Sequence, residues 1–437
     1  MGDRVYRVYV AVLLTGVVLG PVVWAALAAL DAPGVLAALG TPAFWTLALS
    51  AVAITALAAL LAGRARGPVV LSPFRTHLVA QGPSPRRHSL RGPFWLAAAL
   101  PVGVGALLAA LPVVALARRG EIAGWLVLGA PVLGVLAGVL VAVCWLAGQV
   151  SVGAGWRASG TGPSVSGLLD ALSGPVLLRQ ARRWQAATTA LGAGEASAAV
   201  ETYRAVPSTP RPGRALRTRS AGMPLLFLTR DLVAALRTPW RLLAGTVAIL
   251  LAVVVAGATT LLPGGLWWLA IGVGSGLGYL GLGVLTDGVR HAVEAGAAPV
   301  LYGVGDLQLV GLHALLPLAA AGVLGVCGLM LSALLGGASW SAGLGVAALL
   351  LAVAVRIYDA AKPPMPLVLQ TPMPTAAGDA SGVVIALWQV DALLIATVTP
   401  VLVGGLVVVH GAGAVVVLPV VAALVLVVAH RRLAAAR

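Results

Sequence analysis

Ile122-Ala-Gly-Trp-Leu-Val-Leu-Gly-Ala-Pro-Val-Leu-Gly-Val-Leu-Ala-Gly-Val-Leu-Val-Ala-Val-Cys-Trp-Leu-Ala-Gly148 runs for 27 residues without a charged side chain. At about 1.5 Å of rise per residue, a helix of this length crosses a bilayer core of roughly 30 Å. Its apolar residues do not alternate with polar ones, and in lipid a helix satisfies every backbone hydrogen bond of such a segment internally. Similar runs recur at about 8–30, 41–63, 94–117, 242–262, 266–286, 308–334, 339–357, 383–404 and 407–430. The first is too long for the core of a signal peptide and is read as a retained span. The expected fold is all-α: a polytopic transmembrane helical bundle of about ten spans in the cell membrane.

Composition points the same way. Of the 437 residues 60% are hydrophobic and only 9% charged, whereas about a quarter of a soluble domain is charged. The formal charge of +15 rests almost wholly on arginine, since Lys362 is the sole lysine. These arginines stand in short segments between apolar runs. The positive-inside rule accounts for them, and no nucleic-acid partner is required.

Orientation follows from where they fall. Arg4 and Arg7 precede the first run, and six arginines from Arg64 to Arg91 separate the second from the third. Twelve more, from Arg157 to Arg241, lie between the fourth and the fifth. Arg290, Arg356, Lys362, Arg431 and Arg432 mark later loops on the same side and the C-terminus. The alternate loops are nearly uncharged, with Arg118 and Arg119 the exception. Ten spans with both termini cytoplasmic fit this asymmetry.

Three regions result: a four-span half over 1–150, an arginine-rich cytoplasmic segment and linker over 151–222, and a lead-in helix with six spans over 223–437. The middle region starts Gly/Ser-rich, offers a helix from Leu168 to about Leu191, and ends in the Pro/Arg-rich Pro207–Arg214. Proline and glycine at that density favour an extended connector over a packed domain. From Met223 to Arg241 the spacing predicts an amphipathic helix in the membrane surface. Leu228, Leu232, Ala235 and Leu236 would share its apolar face, with Arg230, Asp231 and Arg237 elsewhere, and Trp240 and Arg241 would anchor its end at the interface.

Several chemistries are excluded. A P-loop needs a lysine after its glycine-rich turn, and Lys362 stands before Pro363-Pro364. The six histidines are not spaced as metal or haem ligands, so no cofactor is implied. No catalytic constellation is visible, and the chain is not read as an enzyme. Cys144 and Cys327 read as small buried hydrophobes. The glycines of Gly272–Gly283 form small-xxx-small pairs for close helix packing. Asp391 is the one acidic residue plainly inside a span, the position that an ion-coupled carrier would use.

Leu228-Thr-Arg-Asp-Leu-Val-Ala-Ala-Leu-Arg-Thr-Pro-Trp-Arg241 resembles the Arg/Lys-Asp-Leu … Arg-(Asn/Ser/Thr)-Pro connecting helix of type-2 ABC exporter permeases, which precedes a six-span bundle. Arg230, Asp231, Arg237, Pro239, Trp240 and Arg241 carry the match. Ser84-Pro-Arg-Arg-His-Ser-Leu-Arg-Gly-Pro-Phe-Trp95 is similar to the cytoplasmic Pro-x-Arg-Arg … Leu turn of that family. The layout, with Lys362-Pro-Pro-Met-Pro-Leu … Gln370-Thr-Pro-Met-Pro-Thr375 and Gly378-Asp379, also resembles multi-span proteins of high-GC Gram-positive bacteria. The four-span first half departs from the six of a full module. The resemblance implies a permease subunit driven by a separate cytosolic ATPase subunit, within a homodimer or hetero-oligomer in the lipid bilayer. Coupling loops are implied at Arg86, Arg87 and Arg91 and, in the second half, at Asp306. An ion-coupled secondary transporter built on Asp391, or a non-transporting subunit of a larger complex, remain the alternatives.

Overall fold

The computed structural model describes residues 20, 23–25, 27–28, 30, 32–122, 126–153, 164–193, 196–203, 222–261, 266–296, 303–363, 365–371, 373–375, 378–379 and 381–435. The structure is all-helical apart from a two-residue antiparallel ladder that pairs Pro374 with Asp379 and Thr375 with Gly378. Among the described residues eight helices are long and apolar enough to cross a membrane, and a bent pair makes nine. This is a multi-pass membrane protein. The expected span over 8–30 lies largely outside the described residues. Two compact units divide the chain, one within Val23–Arg204 and one within Ala205–Arg437.

The N-terminal unit holds α1 (Ala32–Leu39), α2 (Pro42–Ala65), α3 (Pro73–Gln81), α4 (Arg86–Arg118), α5 (Leu126–Ser151), α6 (Val165–Ala171), α7 (Gly174–Gly192) and α8 (Ala196–Glu201). Among the described residues, helices α2, α4 and α5 are long and apolar enough to be its spans. α5 packs on α2 and α4 through glycine: a Cβ on Gly138 would stand 2.5 Å from Val102 Cα of α4. The helix expected from Leu168 to about Leu191 is two helices, separated at Leu172-Ser173. Both are packed, with α6 against α4 and α5, and α7 against α3. The described part of the segment is thus packed helix. The linker over 207–214 lies outside the described residues.

A polar knot closes this unit where α2 ends. Gln149 of α5 and Gln180 of α7 are buried. Gln149 Nε2 donates to Val69 O at 2.9 Å and to Gln180 Oε1 at 2.9 Å. Gln180 Oε1 also accepts from Gly67 N at 3.0 Å, and Trp145 Nε1 donates to Arg66 O at 2.7 Å. Chain leaving a helix has backbone groups without partners, and here side chains from two other helices supply them. Arg119, which departs from the charge pattern of the loops, donates to the carbonyls of Leu30 and Leu27 at 2.7 and 2.9 Å.

The C-terminal unit opens with α9 (Met223–Leu236) and continues with α10 (Pro239–Gly257), α11 (Trp267–Leu282), α12 (Asp287–Gly296), α13 (Asp306–Leu334), α14 (Ser339–Ala360), α15 (Ser381–His410) and α16 (Val417–Ala435). The lead-in helix and the next span are two helices, not one through Arg241. Pro disfavours helical geometry in the residue before it, so Thr238 leaves the helix (φ −119°, ψ 66°) and Pro239 starts α10. α14 packs against α10, α11, α13, α15 and α16. Its apolar stretch is 61% buried, against 17–33% for the other single-helix spans of the unit, so α14 is the centre of the unit.

α11 is glycine-faced on two sides. A Cβ on Gly274 would stand 2.5 Å from Ala252 O of α10, and one on Gly278 would stand 2.5 Å from Leu349 Cδ2 of α14. Gly272 and Gly276 meet Val401 and Thr397 of α15. The glycine run is a packing device. The span expected over 266–286 is not straight, because α11 and α12 bend by 60° at a short break. Gly274→Leu should cost about 1–3 kcal/mol through overpacking. The unfolding midpoint of the detergent-solubilised protein measures this, and Gly343→Leu, where a Cβ meets nothing within 4 Å, should leave that midpoint unchanged.

Candidate functional site

Among the described residues, the charged contacts of the C-terminal unit gather toward one end of its helices: the first turns of α10 and α12, the N-terminal parts of α13 and α15, and the ends of α14 and α16, with Asp231 of α9 beside them. At the opposite end the contacts are neutral. Ala338 N donates to Gly257 O at 2.9 Å, and the hydroxyls of Thr259 and Ser341 stand 2.9 Å apart. Polar groups within a span are costly unless paired, and here they are paired and gathered toward one end.

The first knot spans the break between α11 and α12. Arg241, in the first turn of α10, pairs with Asp287 at the start of α12 and also donates to Gly283 O at 3.2 Å. Arg356 of α14 donates through Nε to Tyr279 O at 3.0 Å and through Nη2 at 2.6 Å, with its guanidinium 3.7 Å from the Tyr279 ring centre. Two guanidinium groups thus satisfy carbonyls that the end of α11 leaves open. The Tyr279 hydroxyl donates to Asp359 Oδ2 at 3.0 Å and ties α11 to α14 a second time.

The second knot joins α14, α15 and α16. Asp391 Oδ1 stands 2.6 Å from Lys362 Nζ, and Asp391 Oδ2 accepts from the Tyr358 hydroxyl at 2.9 Å. Lys362 also donates to Trp388 O and lies over the Trp388 ring, 4.1 Å from its centre. Arg432 of α16 donates to the same Tyr358 hydroxyl at 3.0 Å and covers its ring. Lys362 is 9% exposed at its side chain and Asp391 26%. Asp391, ten residues past the start of α15, is a paired carboxylate.

The third knot fastens the lead-in helix. Asp231 of α9 and His313 of α13 are buried, with Oδ2 and Nδ1 2.6 Å apart. Phe227 meets the His313 ring edge-on at 4.9 Å between centres. Gly288 of α12 lies over the pair, where a Cβ would approach Asp231 Oδ2 to 2.5 Å. Asp231 therefore faces the bundle beside Leu228 and Ala235, and the expected apolar face is split. Leu232 and Leu236 point outward at 42% and 52% exposure. A helical wheel drawn on apolar residues alone assigns the inward face to the wrong stripe, because it gives a buried hydrogen-bonded pair no weight.

The remaining expected site residues fall as follows. Arg230, Arg237, Pro239 and Trp240 are exposed. Ser84–Trp95 is not a loop throughout, since α4 is helical from Arg86 onward. Its start is held by the segment that follows α5. Asp170 Oδ1 accepts from Arg87 N at 2.9 Å, Asp170 Oδ2 pairs with Arg87 Nη1 at 3.5 Å, and Arg86 donates to Leu172 O. Arg91 is exposed. Asp306 is buried at the first turn of α13, where a carboxylate suits the helix dipole. The short helix α3, capped by the Ser72 hydroxyl, stands between the second and third expected spans where none was anticipated. Cys144 is half-buried, whereas Cys327 is exposed rather than buried.

Among the described residues no group of three or more His, Cys, Asp or Glu side chains is arranged to hold a metal ion. The knots are fastenings between helices toward one end of the unit: α12 to α10, α11 to α14, α14 to α15 and α16, and α9 to α13. Comparison of the chain with protein-family models, curated proteins and solved structures returns no match.

Asp391→Asn should leave the Lys362 ammonium without its counter-charge. Breaking a fully buried pair costs about 3–5 kcal/mol, and partial exposure should reduce this to about 2 kcal/mol. Thermal unfolding in detergent measures the loss, and the apolar double substitution Asp391→Leu with Lys362→Met should restore most of it.

Proposed function

We propose that this chain is the membrane-spanning permease subunit of an ABC-type exporter, driven by separate cytosolic ATPase subunits, with both termini and the charged end of the C-terminal unit in the cytoplasm. The observation that carries this reading is the order of the C-terminal unit. A lead-in helix turns at Thr238-Pro239 into a set of six spans, counting α11 with α12 as one. The same helix is pinned to α13 by Asp231 and His313. Motion imposed on the cytoplasmic face would enter α9 and α12 and pass through this pair into α13, a helix of 29 residues.

Orientation rests on the charge asymmetry of the loops, which the clustering of ion pairs at one end of the helices supports. An ion-coupled carrier is the second reading. It draws only on Asp391, whose carboxylate is held by Lys362 and Tyr358 and so is occupied in the resting arrangement.

The affinity-tagged chain, purified from its native membrane in mild detergent, should bring down an ATPase subunit, and the preparation should hydrolyse ATP. Loss of that subunit from an otherwise intact preparation would count against the proposal. Asp231→Ala should keep the subunit bound and lower transport-coupled ATP hydrolysis by about tenfold, because the fastening between α9 and α13 is gone.

A further inference from the structure

Outside the membrane spans of the N-terminal unit, a second cluster remains unassigned. Arg66 follows α2 directly, and its place is set on two sides. Its carbonyl accepts from Trp145 Nε1 at 2.7 Å, and its guanidinium lies over the Trp184 ring at 3.7 Å from the centre. Flat stacking of this kind orients the donor fork of an arginine. Arg66 Nε is buried and meets no acceptor, and the Tyr203 hydroxyl is buried and meets none. Tyr203 lies within electrostatic range of both the Arg66 and the Arg183 guanidinium groups. Burial lowers the Arg66 guanidinium from its ordinary pKa and raises that of the Tyr203 phenol. A pre-oriented arginine, a second arginine and a hydroxyl donor without acceptors make a surrounding that an oxyanion completes.

We propose that Arg66, Arg183 and Tyr203 bind a phosphate group, carried by a phospholipid headgroup or by a soluble phosphate. The guanidinium of Arg66 faces two phosphate oxygens, Arg183 adds charge, and the Tyr203 hydroxyl donates to a third oxygen. Tyr203 stands just past the end of α8, so rotation of its side chain brings its hydroxyl to the ligand. The place of Arg66, one residue beyond a span, is the depth at which headgroup phosphates lie.

The test uses the full-length protein in a neutral detergent with two probes, phosphatidylglycerol and inorganic phosphate, read by native mass spectrometry and by thermal stabilisation. Wild type should retain phosphatidylglycerol, or be stabilised by inorganic phosphate at constant ionic strength. Arg66→Gln and Tyr203→Phe should each weaken binding about tenfold. Tyr203→Phe keeps the ring and guards against a folding defect, and Arg182→Gln, which removes an exposed charge from α7, should leave binding unchanged. Retention of the lipid that excess inorganic phosphate does not displace identifies a headgroup site, and binding of inorganic phosphate alone identifies a soluble ligand. The proposal is overturned if neither probe binds wild type, if Arg66→Gln and Tyr203→Phe bind as wild type does, or if Arg182→Gln weakens binding as much as Arg66→Gln.

Discussion

A helix that stops inside a membrane protein leaves carbonyls at one end and amides at the next start, and lipid offers neither partner. The break between α11 and α12 is where this chain meets that constraint, and Arg241 meets it from both sides. It donates to Gly283 O at the end of α11 and pairs with Asp287 at the start of α12. Arg356 supplies the neighbouring carbonyl of Tyr279 from α14. Without those two guanidinium groups, a break there would expose unpaired backbone among apolar helices. The arrangement around them follows: α10 and α14 must lie on either side of α11, and the glycines of α11 let them approach closely enough for the arginines to reach.

The N-terminal unit solves the same difficulty with neutral groups. Gln149 and Gln180 take up the backbone of Gly67 and Val69 as the chain leaves α2. The difference has a physical basis. Neutral amides avoid the Born cost of a buried charge, whereas guanidinium and carboxylate groups need a partner of opposite charge or hydrogen-bond donors and acceptors when they leave water. The charged knots accordingly stand at the end of a bundle, while Gln149 and Gln180 sit deep within packed side chains.

The spans were legible because hydrocarbon thickness leaves little freedom in the length and polarity of a crossing helix. The packing role of Gly272–Gly283 was legible for a similar reason, since small residues four apart on an apolar helix have few other uses. The fastenings were not legible. Asp231 and His313 are 82 residues apart, and Asp391 and Lys362 are 29 apart. No local pattern announces such pairs. Asp391 was visible as a charge inside a span, but nothing in the sequence named Lys362 as its partner. Asp231 was harder, because a charged residue on a short amphipathic helix ordinarily faces water. The packed state of α6 and α7 was hidden by their glycine- and arginine-rich surroundings.

The centre of the C-terminal unit carries a further consequence for how the protein is made. α14 is the most buried span and has the lowest mean hydropathy of the eight, 1.9 against 2.9 for the last. Its weak preference for lipid is matched by its place among five other helices. Two of those, α15 and α16, are synthesised after it. A growing chain that has just released α14 therefore holds an under-protected helix whose remaining walls have yet to leave the ribosome, and assembly must wait for the C-terminus before that surface is sealed.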